Sequence, residues 1–185
     1  MSQNKIIIFV SGNNNKIKEV KEIIGDSIKI ECKDIDLPEI QSTIVSDVAV
    51  DKLNRAIEIL GEPCVIEDSG LHFQKIGEFP GALIKFYYKS LKNEGICQQV
   101  GGSKAKAVTV IGYFDGEKSH FFKGEAYGSV PYRPQGDEKF GWDPIFIPDG
   151  KDKSYAELTV EEKNKISQRN KALLKFKEHL ESNNE

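Results

Sequence analysis

Ile6-Ile7-Ile8-Phe9-Val10-Ser11-Gly12-Asn13-Asn14-Asn15-Lys16 decides the fold class of this 185-residue chain. The run from Lys5 to Val10, apolar from Ile6 onward, reads as a buried strand. Ser11-Gly12-Asn13 closes it with a polar turn. Ile17, Val20 and Ile24 then follow at helical spacing until Gly25 stops them. A buried strand that passes through a polar turn into an amphipathic helix is the opening unit of an α/β protein.

The pattern repeats outward. Ile28, Ile30 and Cys32 alternate with polar residues, as in a half-buried strand. Val45, Val48, Ala49, Lys52, Leu53, Ala56, Ile57 and Leu60 keep the 3-4 spacing of a helix that Gly61 and Pro63 end. Cys64-Val65-Ile66 reads as a short strand running into Glu67-Asp68-Ser69-Gly70, and Phe79-Pro80-Gly81 as a turn. A helix with a break near Gly95 extends to Val100. Gly101-Gly102-Ser103-Lys104 lacks phosphate-loop spacing and reads as a turn before a strand. Ala107 to Phe114 and Ser119 to Val130 form a hairpin about Asp115-Gly116. Pro131 to Asp152 is a long loop, of the kind that is often functional. Thr159-Val160-Glu161-Glu162 is a capping box, and Ala172, Leu173, Phe176 and Leu180 mark a last helix. The whole predicts one α/β domain over 1–185 with a mixed sheet, and residues 181–185 as a frayed tail.

Composition narrows the function. The chain is 38% hydrophobic and 30% charged, and 26 basic against 29 acidic residues leave a net charge of −3. That balance disfavours a nucleic-acid coat or a membrane-surface protein. Three cysteines, Cys32, Cys64 and Cys97, without C-x-x-C spacing, give neither a disulfide framework nor a zinc site. They read as small buried apolar side chains in a reducing compartment. The early apolar run is too short for a signal or a membrane span, so the expectation is a cytoplasmic protein. His72, His120 and His179 form no metal-ligand spacing, and G-x-S-x-G and G-x-G-x-x-G are absent. Any metal would take carboxylate oxygens, which favour Mg²⁺ or Mn²⁺.

Four segments carry polar groups where open α/β sheets gather ligands. Ser11 to Lys16 opens a helix, whose free N–H groups and dipole attract phosphate; the plainer reading is a helix cap with a solvated lysine. Glu67-Asp68, with Glu39, offers cation ligands and a general base; the plainer reading is a turn acid capping the backbone. Phe140-Gly141-Trp142-Asp143-Pro144 holds the only tryptophan and can sandwich a flat ring, or simply anchor a loop. Lys163 and Ser167 lie four apart, on one face if the helix is continuous, and Arg169 follows; alone, the favoured reading is a solvated charged helix face. Together they outline phosphate donors, metal acids, a base clamp and base-edge donors.

These segments resemble the inosine triphosphate pyrophosphatase family. The resemblance rests on Ser11-Gly12-Asn13 with Lys16, Ile35-Asp36-Leu37-Pro38-Glu39, and Val65 to Leu71. It continues through Phe79-Pro80-Gly81 with Lys85, Phe140 to Phe146, Tyr155-Ala156-Glu157, and Glu162-Lys163-Asn164 with Ser167 and Arg169. It implies an elongated mixed sheet flanked by helices, in two lobes with the nucleotide cleft between them. It also implies a homodimeric, Mg²⁺-dependent hydrolase (Mn²⁺ as substitute) that cuts ITP, dITP and XTP between the α and β phosphates and so cleanses the nucleotide pool.

Carried over by position, Asn13, Lys16 and Lys52 would hold the triphosphate, and Ser11, Gly12, Ser69 and Lys85 would also touch the substrate. Glu39 and Asp68, with Glu67 nearby, would hold the metal. Asp68 would activate water, with Lys16 and Glu67 completing the catalytic set. Phe140 would stack on the base, Gly141, Trp142 and Asp143 would shape its pocket, and Lys163, Ser167, Gln168 and Arg169 would line its edge. Gln168 departs from the family, which usually has histidine there, and glutamine cannot titrate. Three rival readings are a pyrophosphatase for methylated pyrimidine nucleotides, a nucleotide-binding module without turnover, and an RNA binder stacking on Phe140 and Trp142. Neither a membrane nor a nucleic-acid partner is expected.

Overall fold

The computed structural model describes residues 6–25, 29–137 and 141–182. Among them are β1 (Ile6–Val10), α1 (Asn14–Ile24), β2 (Lys29–Lys33), α2 (Val45–Leu60), β3 (Cys64–Phe73) and β4 (Pro80–Gly81). Next come α3 (Ile84–Val100), β5 (Lys104–Phe114), β6 (Ser119–Ser129), β7 (Ile147–Pro148), α4 (Val160–Ile166) and α5 (Gln168–Ser182). The seven-stranded sheet has the order β2-β1-β3-β5-β6-β7, with β4 paired to β3. β1 runs parallel to β2 and β3, and the other pairs are antiparallel, so the sheet is mixed as expected. Lys5, Ile28, Phe140 and the end of the expected tail lie outside the described residues.

β3 differs from its expectation in a way that matters. The apolar run suggested a strand ending at Ile66, with Glu67 and Asp68 in the turn beyond. Instead all ten residues of β3 pair with β5, from Cys64 opposite Phe114 to Phe73 opposite Ala105. Ladder hydrogen bonds to β5 override the local turn preference of Asp-Ser-Gly. Glu67 and Asp68 are therefore mid-strand neighbours, and successive strand residues face opposite sides of the sheet.

The two faces are packed differently. Val65, Ile111 and Tyr113 join Val20 and Ile24 of α1 and Ala172, Leu173 and Phe176 of α5 in one core cluster. Cys64, Ile66, Val108 and Val110 join Val45, Ala49, Leu53 and Ala56 of α2 in another. A third cluster holds Leu71, Phe73, Ile96, Phe146 and Tyr155. Cys64 and Cys97 are buried, whereas Cys32 is only partly so, and all three are free thiols.

Further corrections are local. Pro80–Gly81 is a two-residue strand on β3, in place of the expected turn. α3 breaks at Lys92 (φ 55°, ψ 177°), before Gly95. The 131–152 segment contains a single-turn helix at Asp143–Ile145 and the short β7. The last helix is two: Ser167, with ψ 151°, separates α4 from α5, so Lys163 and Ser167 do not share a continuous helical face. The capping box of α4 forms as read, with Thr159 and Glu162 exchanging bonds. Among the described residues no helix is long and apolar enough to cross a membrane.

Candidate active site

One cavity of about 690 Å³ is lined from the β1–α1 turn, α2, β3, α3 and the start of α5. Ser11, Gly12, Asn13, Lys16, Glu39, Lys52, Glu67, Asp68, Ser69 and Lys85 all reach it. So do Gly141, Trp142, Asp143, Lys163, Gln168 and Arg169. Phe140 lies outside the described residues. Ser167 does not line the cavity; it is buried, and its Oγ accepts from the Asn170 N–H at 3.2 Å, capping α5.

At the first end, the β1–α1 turn is both a cap and a cavity wall. Asn13 Oδ1 accepts from the Lys16 N–H at 3.3 Å, and Ser11 Oγ accepts from the Asn13 N–H at 3.2 Å. Lys16 points back to β3, its ammonium 3.1 Å from Glu67. Opposite, Lys52 leaves the otherwise apolar stripe of α2. It sits 2.8 Å from Glu39 Oε1 and 3.8 Å from Asp68 Oδ1. Three lysines, Lys16, Lys52 and Lys85, thus surround two carboxylates. Burial alone would raise the Glu39 carboxyl, but Lys52, then Lys85 and Lys16, pull it below its ordinary value. Asp68 behaves oppositely. Burial pushes it up to about 6 against Lys16 and Lys52, and the charges of Glu39 and Glu67 add to the rise.

Among the described residues, no three His, Cys, Asp or Glu side chains converge tightly enough to hold a metal alone. Glu39 and Asp68 still suit one kind of ion. Asp68 Oδ2 is buried without a hydrogen-bond partner, and the Lys52 ammonium occupies the gap between the two carboxylates. Mg²⁺ is commonly held by one or two carboxylates together with substrate phosphates, so this donor set fits it.

At the other end, Asn93 of α3, fully buried, donates from Nδ2 to the Gly141 carbonyl at 3.0 Å and pins the loop. Trp142 packs on Phe146 and Tyr155 with ring centroids 5.9 and 6.4 Å away, so it both anchors the loop and walls the cavity. Lys163 donates to Asp143 at 2.6 Å. Burial nevertheless raises the Asp143 carboxyl. Gln168 accepts from the Tyr155 hydroxyl at 3.3 Å. Gly124 of β6 lets α5 come this close, because a Cβ there would collide with the Gln168 carbonyl.

Glu67 joins the two ends. On the face of β3 opposite Asp68, it accepts from Arg169 Nε at 2.9 Å and Arg169 Nη2 at 3.0 Å. Ser69 Oγ donates to it at 3.0 Å. Burial would raise this carboxyl, but Arg169 and Lys16 hold it at about 2. Arg169 also pairs with Glu19 of α1, and Glu19 with Lys163 at 3.3 Å. An alternating line of charges results: Lys16, Glu67, Arg169, Glu19, Lys163, Asp143. Removing one member of such a line would leave a buried charge unpaired. Glu19 escaped the sequence reading. Its one signal was its position three residues after Lys16, on the same face of α1.

The profile of the Ham1 family matches residues 7–179. A dITP/XTP pyrophosphatase of Methanopyrus kandleri is 40% identical over 182 residues, covering 96% of this chain and 97% of that protein. An inosine triphosphate pyrophosphatase of Emericella nidulans is 40% identical over 181 residues, covering 95% and 97%. A HAM1 protein from Coxiella burnetii matches the fold with a TM-score of 0.81 at 26% identity, over 96% of this chain and 98% of that one. With a profile spanning nearly all of its length and relatives aligned end to end, the chain belongs to the Ham1 family.

Proposed function

We propose that this protein hydrolyses deaminated purine nucleoside triphosphates (ITP, dITP and XTP) to the monophosphate and pyrophosphate, with Mg²⁺ as cofactor and Mn²⁺ as a substitute. One observation carries the reading. A single cavity places Lys16, Lys52 and Lys85 beside Glu39 and Asp68, and continues to Trp142, Asp143, Lys163 and Arg169. The first group suits a triphosphate and the second a base. The names of the relatives from Methanopyrus kandleri and Emericella nidulans support the same substrate class.

In this reading Glu39 and Asp68 hold the ion. When bound, it screens phosphate charge and polarises the phosphoryl oxygens. Lys16, Lys52 and Lys85 neutralise the remaining charge on the triphosphate. Asp68, which lines the cavity beside Glu39, takes the proton of the attacking water. Oxygen of that water bonds to the α phosphorus as the bond to the bridging oxygen breaks, and pyrophosphate leaves in line.

Selectivity follows from donor chemistry. Lys163 and Arg169 only donate, so they match a 6-oxo group and mismatch the 6-amino group of adenine. Such a mismatch leaves buried groups unpaired, and that can cost orders of magnitude in rate. The reading includes a homodimer, as the family resemblance implies, in the cytoplasm. Pyrophosphate release from ITP and ATP, measured side by side with Mg²⁺ and with chelator, tests it. Fast, metal-dependent release from ITP alone is expected; release from neither nucleotide sinks the reading.

A further inference from the structure

Glu67 touches both ends of the cavity through one carboxylate. Lys16 lies 3.1 Å from its Oε1, and Ser69 Oγ and Arg169 Nη2 donate to the same oxygen at 3.0 Å. Arg169 Nε donates to Oε2 at 2.9 Å. Its side chain is 1% exposed. Three donor groups therefore meet Oε1 and one meets Oε2. The close partners of Glu67 also differ from those of Asp68, which pairs with Lys52 at 3.8 Å.

We propose that Glu67 is a positioning residue that ties the Arg169 guanidinium at the base end to the Lys16 ammonium at the phosphate end, so that base identity is expressed in the phosphate chemistry. The proposal rests on the function proposed above and deepens it. A 6-oxo base accepts from Arg169 where it stands and leaves the pairing with Glu67 intact. A 6-amino base presents a donor to Arg169 and displaces it. Glu67 then loses its bidentate partner, and its charge falls on Lys16, drawing that ammonium off the phosphates. A shift of about 1 Å in a positioning group can cost on the order of a hundredfold in rate. Discrimination therefore enters kcat as well as binding. Ser69 hydrogen-bonds Thr109 at 2.8 Å across the β3–β5 pair, which fixes the hub to the sheet.

The test is kcat and KM for ITP and ATP in the wild type and in Glu67→Gln. For the variant, kcat on ITP is expected to fall roughly 10- to 100-fold with KM within about threefold, and the ITP-to-ATP ratio of kcat/KM to fall at least about tenfold. An equal fall for both nucleotides, or a loss confined to KM, overturns the proposal. If Glu67→Gln does not fold, a double-mutant cycle of Lys16→Gln and Arg169→Gln replaces it. There the combined loss in kcat is expected to differ from the product of the single losses by about fivefold or more. Agreement with the product overturns the coupling. A wild type inactive on ITP removes the proposed function and this proposal together. An active wild type whose Glu67 variant keeps its preference removes this proposal alone.

Discussion

Lys52 Nζ stands 3.8 Å from Asp68 Oδ1, so the ammonium of α2 serves as the counter-ion of a carboxylate whose other oxygen is buried without a partner. Lys52 also lies 2.8 Å from Glu39. The position suited to a hard cation thus holds an internal one in the free protein.

Asp68 should be costly to stability and necessary to activity. Its folded value of about 6 lies above the ordinary 3.8, so the folded state binds more protons between those values. The stability this confers is present below about pH 4 and lost as pH rises through 6. In chelator at pH 7.5, Asp68→Asn is expected to be more stable than the wild type by up to about 3 kcal/mol, with no difference below pH 4. The same variant should bind ITP yet release no pyrophosphate. Urea melts across pH and single-turnover assays check both parts; turnover near the wild-type rate would remove Asp68 from the base role.

Lys52→Gln removes the competing charge. Without nucleotide, Mn²⁺ should bind about tenfold more tightly, since a like charge no longer occupies the gap. ITP turnover should fall because the phosphates lose a cation. Calorimetry with Mn²⁺ alone reads the first effect, and unchanged or weaker metal affinity would contradict it.

Gly124→Ala tests how α5 is seated. A Cβ there meets the Gln168 carbonyl and the Ala172 N–H, backbone atoms that cannot swing aside. Overpacking of this kind costs about 1–3 kcal/mol or more. Thermal denaturation should show the loss. ITP turnover should fall with it, because Gln168 and Arg169 begin that helix.

Thr159→Ala removes one half of the capping box of α4. The expected loss is about 1 kcal/mol. Lys163 rides on the same short helix, so KM for ITP should rise several-fold while the pH profile keeps its shape. Denaturant midpoints and steady-state kinetics check the two effects separately.

Much of this site was legible in sequence because its pieces are local. The apolar run into Ser11-Gly12-Asn13 predicts a strand, a cap and a helix, and all three form. Lys52 stood out as a cation on an apolar stripe, and it lies in the cavity. Glu19 and the partners of Glu67 were not legible. The paired residues lie far apart along the chain, with Glu67 and Arg169 separated by 102 positions and Glu19 and Arg169 by 150.

Periodicity, caps and turn residues act over a few positions, so the sequence by itself determined the alternation of strands and helices and the ends of most elements. Tertiary structure decided the length of β3, because its ladder with β5 runs through residues that prefer turns. That register put Glu67 against α1 and α5 and Asp68 against α2, so that two adjacent acids pair with different cations. Which cation each carboxylate meets depends on how whole helices pack on a sheet, and packing of distant segments has no local signature.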